Sequence, residues 1–194
     1  MSDSPDSSPV PDQPPSFAPF GVRGSEVVYD SHWCRLRRDM VVLPNGADQE
    51  YHVLEVPDAV VVVPVLADGS IVMIGQYRYP HGKTHWEVPA GRISEGEAPL
   101  DAAARELLEE SGCRAGRWSE FPGFYPTNGL SPHYVHAFCA LECSIADELM
   151  LDDSEQILVR TFTRDEVRSL LRAGLIQDAF TALTLYYYLD FEPV

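Results

Sequence analysis

Residues 91–113 read GRISEGEAPLDAAARELLEESGC, and this stretch decides the fold around the candidate site. Charged and glycine residues recur in it at the spacing G-x5-E-x7-R-E-x2-E-E-x-G. A pattern of this kind predicts a glycine-bounded loop that leads into a charged helix. The residues that form it are Gly91, Glu97, Arg105, Glu106, Glu109, Glu110 and Gly112.

The second half of the stretch predicts a helix from about Pro99 to Ser111, because its residues (PLDAAARELLEES) favour helices. Proline suits the first helical turn, and glycine suits the position just after the last. Glu106, Glu109 and Glu110 are three and four positions apart, so they share one face of this helix. Three carboxylates on one face indicate either a solvated acidic surface or a site for a hard divalent cation.

The whole pattern resembles the Nudix box, G-x5-E-x7-R-E-U-x-E-E-x-G-U, in which U is an aliphatic residue. Every charged and glycine position is filled, and the one departure is Cys113, a small apolar residue that can replace the final aliphatic one. The complete pattern favours the cation site over the acidic surface. The resemblance implies an α+β Nudix fold, which is an α/β/α sandwich with a mixed β-sheet and a catalytic loop–helix–loop. It also implies cleavage of a nucleoside diphosphate linked to another group.

The resemblance further implies a role for each position of the box. Glu106 and Glu110 correspond to the principal ligands of Mg2+, for which Mn2+ can substitute, and Glu109 to a further ligand or the base that acts on water. The backbone carbonyl of Ala90, just before the box, is a further candidate ligand. The residues expected to be structural, with the glutamate paired to the arginine, are Gly91, Glu97, Arg105 and Gly112.

Length and composition indicate one domain of ordinary size. The chain has 194 residues, a formal net charge of −16 and an isoelectric point near 4.6. No basic patch is visible, so we expect no binding to nucleic acid or to a membrane surface. The four cysteines lack C-x2-C spacing and indicate reduced thiols, not a zinc site. Neither a signal peptide nor an apolar run of about 18 residues is present, so a cytoplasmic location is expected.

The chain divides into three predicted regions. Residues 1–20 are rich in Pro, Ser and Asp and predict a disordered or extended tail. Residues 21–56 predict an N-terminal antiparallel β region, in which an alternating stretch ends in a Pro-Asn-Gly turn. Residues 57–194 predict the Nudix hydrolase domain.

Within that domain, the β-branched run from Val60 to Val65 predicts a strand buried on both faces, followed by a turn at Asp68-Gly69. After the box helix, PHYVHAFCALEC and ILVRTF predict strands. A capping box at Thr163 predicts a helix that ends near Gly174, and a last helix is expected over roughly residues 178–189. Strands on both sides of a helix indicate an α+β sandwich with a mixed sheet.

The sequence before the box, GQYRYPHGKTHWEVPAG, carries the patterns QYR-x-P and WE-x-PAG. These patterns resemble the ADP-ribose and nucleoside diphosphate sugar pyrophosphatases among the Nudix enzymes. Arg78 is the candidate for a direct substrate contact, because a guanidinium group clamps phosphate oxygens in a bidentate manner. A surface ion pair is the alternative for this arginine.

In the N-terminal β region, Trp33 is a candidate to stack on a nucleobase, with core or dimer packing as the alternative. The resemblance implies that this region crosses to a second subunit in a homodimer. Arg35, together with Arg37 and Arg38, is a candidate to bind phosphate or ribose, and a solvated or dimer-paired face is the alternative.

Downstream of the box, FYPTNGLSPHYVHAF departs from the related enzymes, which have a Ser-Pro-Gly stretch followed by acidic residues. Gly129 and Leu130 are still expected to line the substrate site, with the glycine permitting close backbone approach. His133 and His136 are three apart and would face opposite sides of a strand, so they do not predict a metal site.

A second catalytic carboxylate is expected in the acidic loop before the last strand, where related enzymes position or deprotonate water. The sequence DDSEQI offers Glu155 first and Asp153 second, and an ordinary acidic loop is the alternative.

The expected activity is Mg2+-dependent hydrolysis of the pyrophosphate bond of ADP-ribose or a related nucleoside diphosphate sugar. Hydrolysis of a dinucleoside polyphosphate, NADH or GDP-mannose is a close alternative. A sensor that binds ADP-ribose without cleaving it is disfavoured, because Glu106, Glu109 and Glu110 are all present and no DNA-binding domain follows.

Overall fold

A computed structural model describes residues 14–145 and 157–191. The N-terminal β region is a small antiparallel sheet of β1 (Gly21–Asp30), β2 (Arg35–Val42) and β3 (Asp48–Glu55), with β2 in the centre. The alternating stretch that leads to the Pro-Asn-Gly turn is therefore two strands, not one. The chain reverses at Ser31, whose hydroxyl accepts hydrogen bonds from the backbone N–H groups of Trp33 (3.2 Å) and Cys34 (3.3 Å).

Eight strands of the described residues form the main sheet. They are β4 (Ala59–Leu66), β5 (Ile71–Arg78), β6 (Lys83–Glu87), β7 (Ala90–Arg92), β8 (Cys113–Arg114), β9 (Arg117–Phe124), β10 (Val135–Ile145) and β11 (Ile157–Phe162). The main order is β11-β5-β4-β10-β8, and β6, β7 and β9 pair with β5, β4 and β10 respectively. Because β4 and β10 are parallel while the other pairs are antiparallel, the sheet is mixed.

The main sheet has a hydrophobic core on each face, and β4 contributes to both. Val61 and Val63 pack on one face with Leu185, whereas Val60 and Val62 pack on the other with Leu107. The helices α2 (Arg164–Arg172) and α3 (Ala179–Asp190) cover the first face, and α1 (Pro99–Ser111) covers the second. The α/β/α sandwich with a mixed sheet is thus confirmed, as is the strand buried on both faces.

The helix ends follow the sequence signals that predicted them. Proline begins α1, and Gly112 follows its last residue with a left-handed φ of 66°, its N–H donating to the carbonyl of Leu108. Thr163 and Glu166 form the expected capping box of α2. Strands β6 and β7 were not predicted, because segments of five and three residues are too short to show an alternating pattern.

Two backbone connections join the small sheet to the main domain. The chain passes directly from β3 through Val56 and Pro57 to β4. In addition, the backbone N–H of Leu54 in β3 donates a 2.9 Å hydrogen bond to the carbonyl of Leu130, in the loop before β10. The small sheet is therefore tied to that loop as well as to β4.

The described residues before β1 form no regular secondary structure. Residues 14–20 are exposed and belong to no helix or strand, and the rest of the predicted tail lies outside the described residues. None of the helices in the described parts is both long and apolar enough to span a bilayer.

We predict that Gly112→Ala will lower the free energy of unfolding by about 1–2 kcal/mol, because an L-residue with a side chain is strained at a left-handed φ. Urea denaturation would measure this change. Gly129→Ala is the matched control, since a Cβ there meets no atom within 4 Å and its φ lies outside the left-handed region. Equal effects of the two substitutions would contradict the prediction.

Candidate active site

The loop between β7 and α1 is held to the helix by one arginine. The Nε of Arg105 donates to Oε1 of Glu97 at 2.9 Å, and its Nη2 donates to Oε2 of Glu97 at 3.0 Å. The same Nη2 also donates to the backbone carbonyl of Arg92 at 3.0 Å. The side chain thus joins the start of the loop, its far end and the helix in one network.

This network shifts the pKa values of both partners. The hydrogen bonds from Arg105, helped by the backbone N–H of Ser94 at 2.9 Å, lower the pKa of Glu97 to about 2. The bonds to Glu97 in turn raise the pKa of Arg105 above its usual value. Both groups are therefore charged throughout the neutral pH range.

The three carboxylates on the shared face of α1 are each held by a neighbour. Nη1 of Arg105 donates to Oε1 of Glu106 at 2.7 Å and to Oε2 of Glu109 at 3.1 Å. Oε2 of Glu110 accepts from the backbone N–H of Ala90 at 2.9 Å. Glu106 and Glu110 are buried, and Glu109 is half-buried. A carboxylate that is buried in this way requires a cation or hydrogen-bond donors close by.

The close approach of β7 to α1 depends on Gly91. A Cβ at this position would overlap the carboxylate of Glu106, so any other residue here would displace that carboxylate from its present position. Gly91 thus lies against the side chain of Glu106. The residue before it, Ala90, bonds through its backbone N–H to Glu110. The segment Ala90–Gly91 therefore lies against two of the three glutamates of the predicted ligand set.

The chemistry of this set fits a hard divalent cation. Its donors are all oxygen: carboxylates of Glu106, Glu109 and Glu110, and the backbone carbonyl of Ala90. As placed, no three His, Cys, Asp or Glu side chains converge as metal ligands within residues 14–145 and 157–191. The reason is that two of the glutamates turn toward Arg105 and the third toward a backbone N–H.

A cleft of about 690 Å³ lies against this end of β7. Arg78 lines it, and its Nε and Nη2 donate to both oxygens of Glu87, with the closest contact at 2.6 Å. Burial opposes the charge on Arg78, but the hydrogen bonds to Glu87 and the negative charges of Glu87, Glu110 and Asp178 raise its pKa. A permanent positive charge therefore faces a cleft that borders the acidic helix.

The structure brings some of the predicted site residues to this cleft and leaves others away from it. Arg78, Ala90 and Gly91 line it. Gly129 and Leu130 are exposed and outside the lining, where Thr127 of the same loop takes part instead. No close backbone approach is seen at Gly129.

The predicted residues of the small sheet lie farther from the cleft. Trp33 is 67% exposed, and the guanidinium carbon of Arg92, a cleft residue, lies 5.6 Å from the centre of its ring. Arg35 forms ion pairs with Asp30 at 3.3 Å and Glu55 at 3.9 Å. Arg37 and Arg38 are likewise paired with carboxylates of the same sheet.

The remaining predictions concern the acidic loop and the cysteines. Asp153 and Glu155 lie outside the described residues, so their catalytic role stays a prediction. All four cysteines are unpaired, and burial raises the pKa of Cys139 and of Cys143 to about 12. These two buried thiols are therefore uncharged.

Several cleft residues were not predicted from the sequence. Glu87 belongs to the WE-x-PAG pattern. That pattern indicated the enzyme group but did not predict the ion pair between Glu87 and Arg78. His85 lines the cleft from β6, whereas Asp178 and Phe180 reach it from the start of α3. The last two follow Arg78 by about 100 positions in the chain, and no local pattern relates them to it.

We predict that Glu97→Gln will reduce the loss of stability on acidification. A carboxyl group whose pKa is lowered to about 2 by folding stabilises the protein fully above its unfolded pKa, about 4.3. That contribution is lost as the pH falls from this value toward 2. Urea midpoints at pH 5 and pH 3 should fall less in the variant than in the wild type. Glu120→Gln, at an exposed position of β9, is the control and should behave like the wild type.

Comparison with known proteins accounts for both sheets. Residues 56–183 match the family model of the NUDIX domain, and residues 22–54 match that of the nucleoside diphosphate sugar hydrolase N-terminal domain. A solved structure entitled "Crystal structure of ADP compounds hydrolase" has the same fold, with a TM-score of 0.80. It covers 91% of this chain and 96% of its own, at 19% sequence identity.

Two curated relatives cover most of the chain. The ADP-ribose pyrophosphatase of Bacillus subtilis (strain 168) is 36% identical over 148 residues, which are 76% of this chain and 80% of that protein. The methanol dehydrogenase activator of Bacillus methanolicus is 30% identical over 164 residues, which are 84% and 89% of the two chains. The resemblance first seen in residues 91–113 is thus confirmed, and the chain belongs to the Nudix hydrolase family.

Proposed function

We propose that this chain hydrolyses the pyrophosphate bond of ADP-ribose or a related nucleoside diphosphate sugar, with Mg2+ as its metal and Mn2+ as a substitute. The products would be a nucleoside monophosphate and a sugar phosphate. The observation that carries the proposal is the cleft itself. Its lining includes Ala90 and Gly91, which lie against Glu110 and Glu106 of α1, and it also includes Arg78 with its guanidinium group.

The site residues would have two roles, which are to stabilise negative charge and to transfer a proton. Glu106, Glu109, Glu110 and the carbonyl of Ala90 would hold the metal, which supplies positive charge to the pyrophosphate and acidifies water. Arg78 would bind a phosphate oxygen through the nitrogen that does not bond to Glu87, since Nε and Nη2 are already engaged. In its alternative role as a base instead of a ligand, the half-buried Glu109 would accept the proton of the attacking water. Glu155 or Asp153 is proposed as a second carboxylate for that water.

The substrate class rests on the relatives. Two carry the name ADP-ribose pyrophosphatase, from Bacillus subtilis and Mycobacterium tuberculosis, and a third is the ADP-sugar pyrophosphatase of Mus musculus. A relative that covers a similar share of the chain is named methanol dehydrogenase activator, so likeness of this degree does not by itself fix the substrate. A dinucleoside polyphosphate, NADH or GDP-mannose is therefore kept as an alternative substrate. Binding without cleavage is disfavoured by the complete set of box glutamates.

We predict that ADP-ribose will be the best substrate in a panel with ADP-glucose, GDP-mannose, NADH and diadenosine polyphosphates, each tested with Mg2+. Chromatography should show AMP and ribose 5-phosphate as the products. Removing the metal with a chelator should abolish turnover. A faster reaction with another member of the panel would change the assigned substrate but not the assigned pyrophosphate hydrolysis. Tight binding without any turnover would indicate a sensor.

The matched variants for this assay are Glu109→Gln and Glu120→Gln. The first removes the proposed base or ligand and should lower kcat by about 10²- to 10⁴-fold. The second changes an exposed carboxylate on β9 and should leave kcat unchanged. Near-native activity of the Glu109 variant would contradict the assignment of α1 as the catalytic helix.

We also propose that the chain acts as a homodimer in the cytoplasm and that the small sheet forms its interface. Apolar side chains are unusually exposed along β1 and before it, as expected for a surface that another subunit covers. They are Phe17, Phe20, Val22, Val27, Val28 and Tyr29. In such a dimer Trp33 and Arg35 would contact the nucleotide from the partner's side of the cleft.

We predict a dimer of the 21.6 kDa chain by gel filtration with light scattering. Val28→Asp, in β1, should shift it toward the monomer, because a charge would be buried at the interface. Leu158→Asp is the matched control, since this apolar residue is also exposed on a strand but lies in β11 of the main sheet. A monomeric wild type would exclude Trp33 from acting across subunits.

A further inference from the structure

One wall of the cleft is aromatic. His133, in the loop before β10, and Phe180, in the first turn of α3, both line the cleft. Their ring centroids are 5.9 Å apart, and their planes are inclined by only 27°. Phe124 of β9 packs its ring edge-to-face with Phe180, at a centroid distance of 5.9 Å. The two rings are therefore held in place by elements that lie far apart in the chain.

A backbone contact sets the tautomer of the neutral His133 ring. Its Nδ1 lies 2.6 Å from the carbonyl oxygen of Pro57, and a carbonyl oxygen can only accept a hydrogen bond. Nδ1 therefore carries the proton in the neutral ring, and Nε2 carries the lone pair. The imidazole is thereby made a hydrogen-bond acceptor on the side opposite Pro57.

Beside this wall, the carboxylate of Asp178 is also a hydrogen-bond acceptor. Asp178 lines the cleft two positions before Phe180, and its Oδ2 accepts the N–H of Thr181 as the cap of α3. A ligand group that matches aromatic rings and the two acceptors, Nε2 of His133 and the carboxylate of Asp178, must present hydrogen-bond donors along its edge. A sugar does so, because each hydroxyl can donate and its C–H face packs on aromatic rings.

We propose that the wall of His133 and Phe180 binds the sugar of the nucleoside diphosphate sugar, with Nε2 of His133 accepting a hydrogen bond from a sugar hydroxyl. This inference rests on the proposed function and deepens it, because it assigns one end of the cleft to the part of the substrate that differs between nucleotide sugars. His133 is then a residue that determines specificity, at the point where the sequence departs from the acidic pattern of related enzymes.

Two substitutions separate the acceptor from the other contacts of this side chain. His133→Phe keeps a ring to stack on Phe180 but removes both nitrogens. His133→Asn keeps a donor for the carbonyl of Pro57 but removes the ring and Nε2. Each should weaken binding of ADP-ribose about tenfold, the effect of one lost hydrogen bond. Binding of AMP, which lacks the second sugar, should change less than twofold.

Calorimetric titration of the metal-free protein with ADP-ribose and with AMP measures both affinities without turnover. His136→Phe is the matched control, since His136 lies in β10 outside the cleft lining and should bind both ligands like the wild type. Thermal melting shows whether each variant is folded, and if one unfolds the other still tests whether the His133 side chain contacts the sugar.

Three results would overturn the proposal. Equal weakening of AMP and ADP-ribose would assign the wall to the nucleoside, and unchanged binding of both would remove it from the site. Weakening by only one of the two substitutions, with both proteins folded, would attribute the effect to the ring or to the Pro57 contact instead of Nε2. Failure of the wild type to cleave any nucleotide with Mg2+ would refute the proposed function alone, because the binding difference is measured without catalysis.

Discussion

The site depends above all on the contacts of Arg105 with the carboxylates of α1 and of the loop before it. Three carboxylates on α1 repel one another, and two of them are withdrawn from water. Arg105 offsets this by bonding to Glu106 and Glu109, while its other edge binds Glu97 and the carbonyl of Arg92. The same guanidinium group therefore offsets part of the negative charge of the acidic face and fixes the loop, while Glu110 is held by the N–H of Ala90. Because its pKa is raised, this role does not vary with pH in the neutral range.

The rest of the fold brings the oxygen donors within reach of that face. The buried strand β4 holds β7 on one side and β10 on the other, so the segment before the box and the loop before β10 meet at one end of the sheet. Gly91 then lets β7 approach α1 without a side chain between them. Strand pairing and one missing Cβ thus place β7 against Glu106 and Glu110 of α1, while Arg105 holds Glu106 and Glu109.

The sequence predicts those parts of the protein whose cause is local. The bounds of α1, the capping box of α2 and the buried run of β4 follow from spacing and residue type alone, and the structure has all three. Strands β6 and β7 are too short to carry a pattern, and the turn at Ser31 depends on a side-chain hydrogen bond. The cleft is the least predictable feature. His133, Asp178 and Phe180 meet Arg78 only because β10 runs parallel to β4 and α3 folds back over it.

The hydrogen bond between Leu54 and Leu130 gives the small sheet a mechanical role beyond that of a platform. Val56 and Pro57 leave β3 directly into the cleft wall, and the loop that receives this bond contributes Thr127 to the same wall. A displacement of the small sheet would therefore act on two segments that line the cleft, and a ligand that favours one shape of the cleft would act back on the sheet. Such coupling is reciprocal by thermodynamic necessity. In the proposed dimer, subunit association and substrate binding would therefore be linked, and the apparent affinity for substrate would depend on protein concentration.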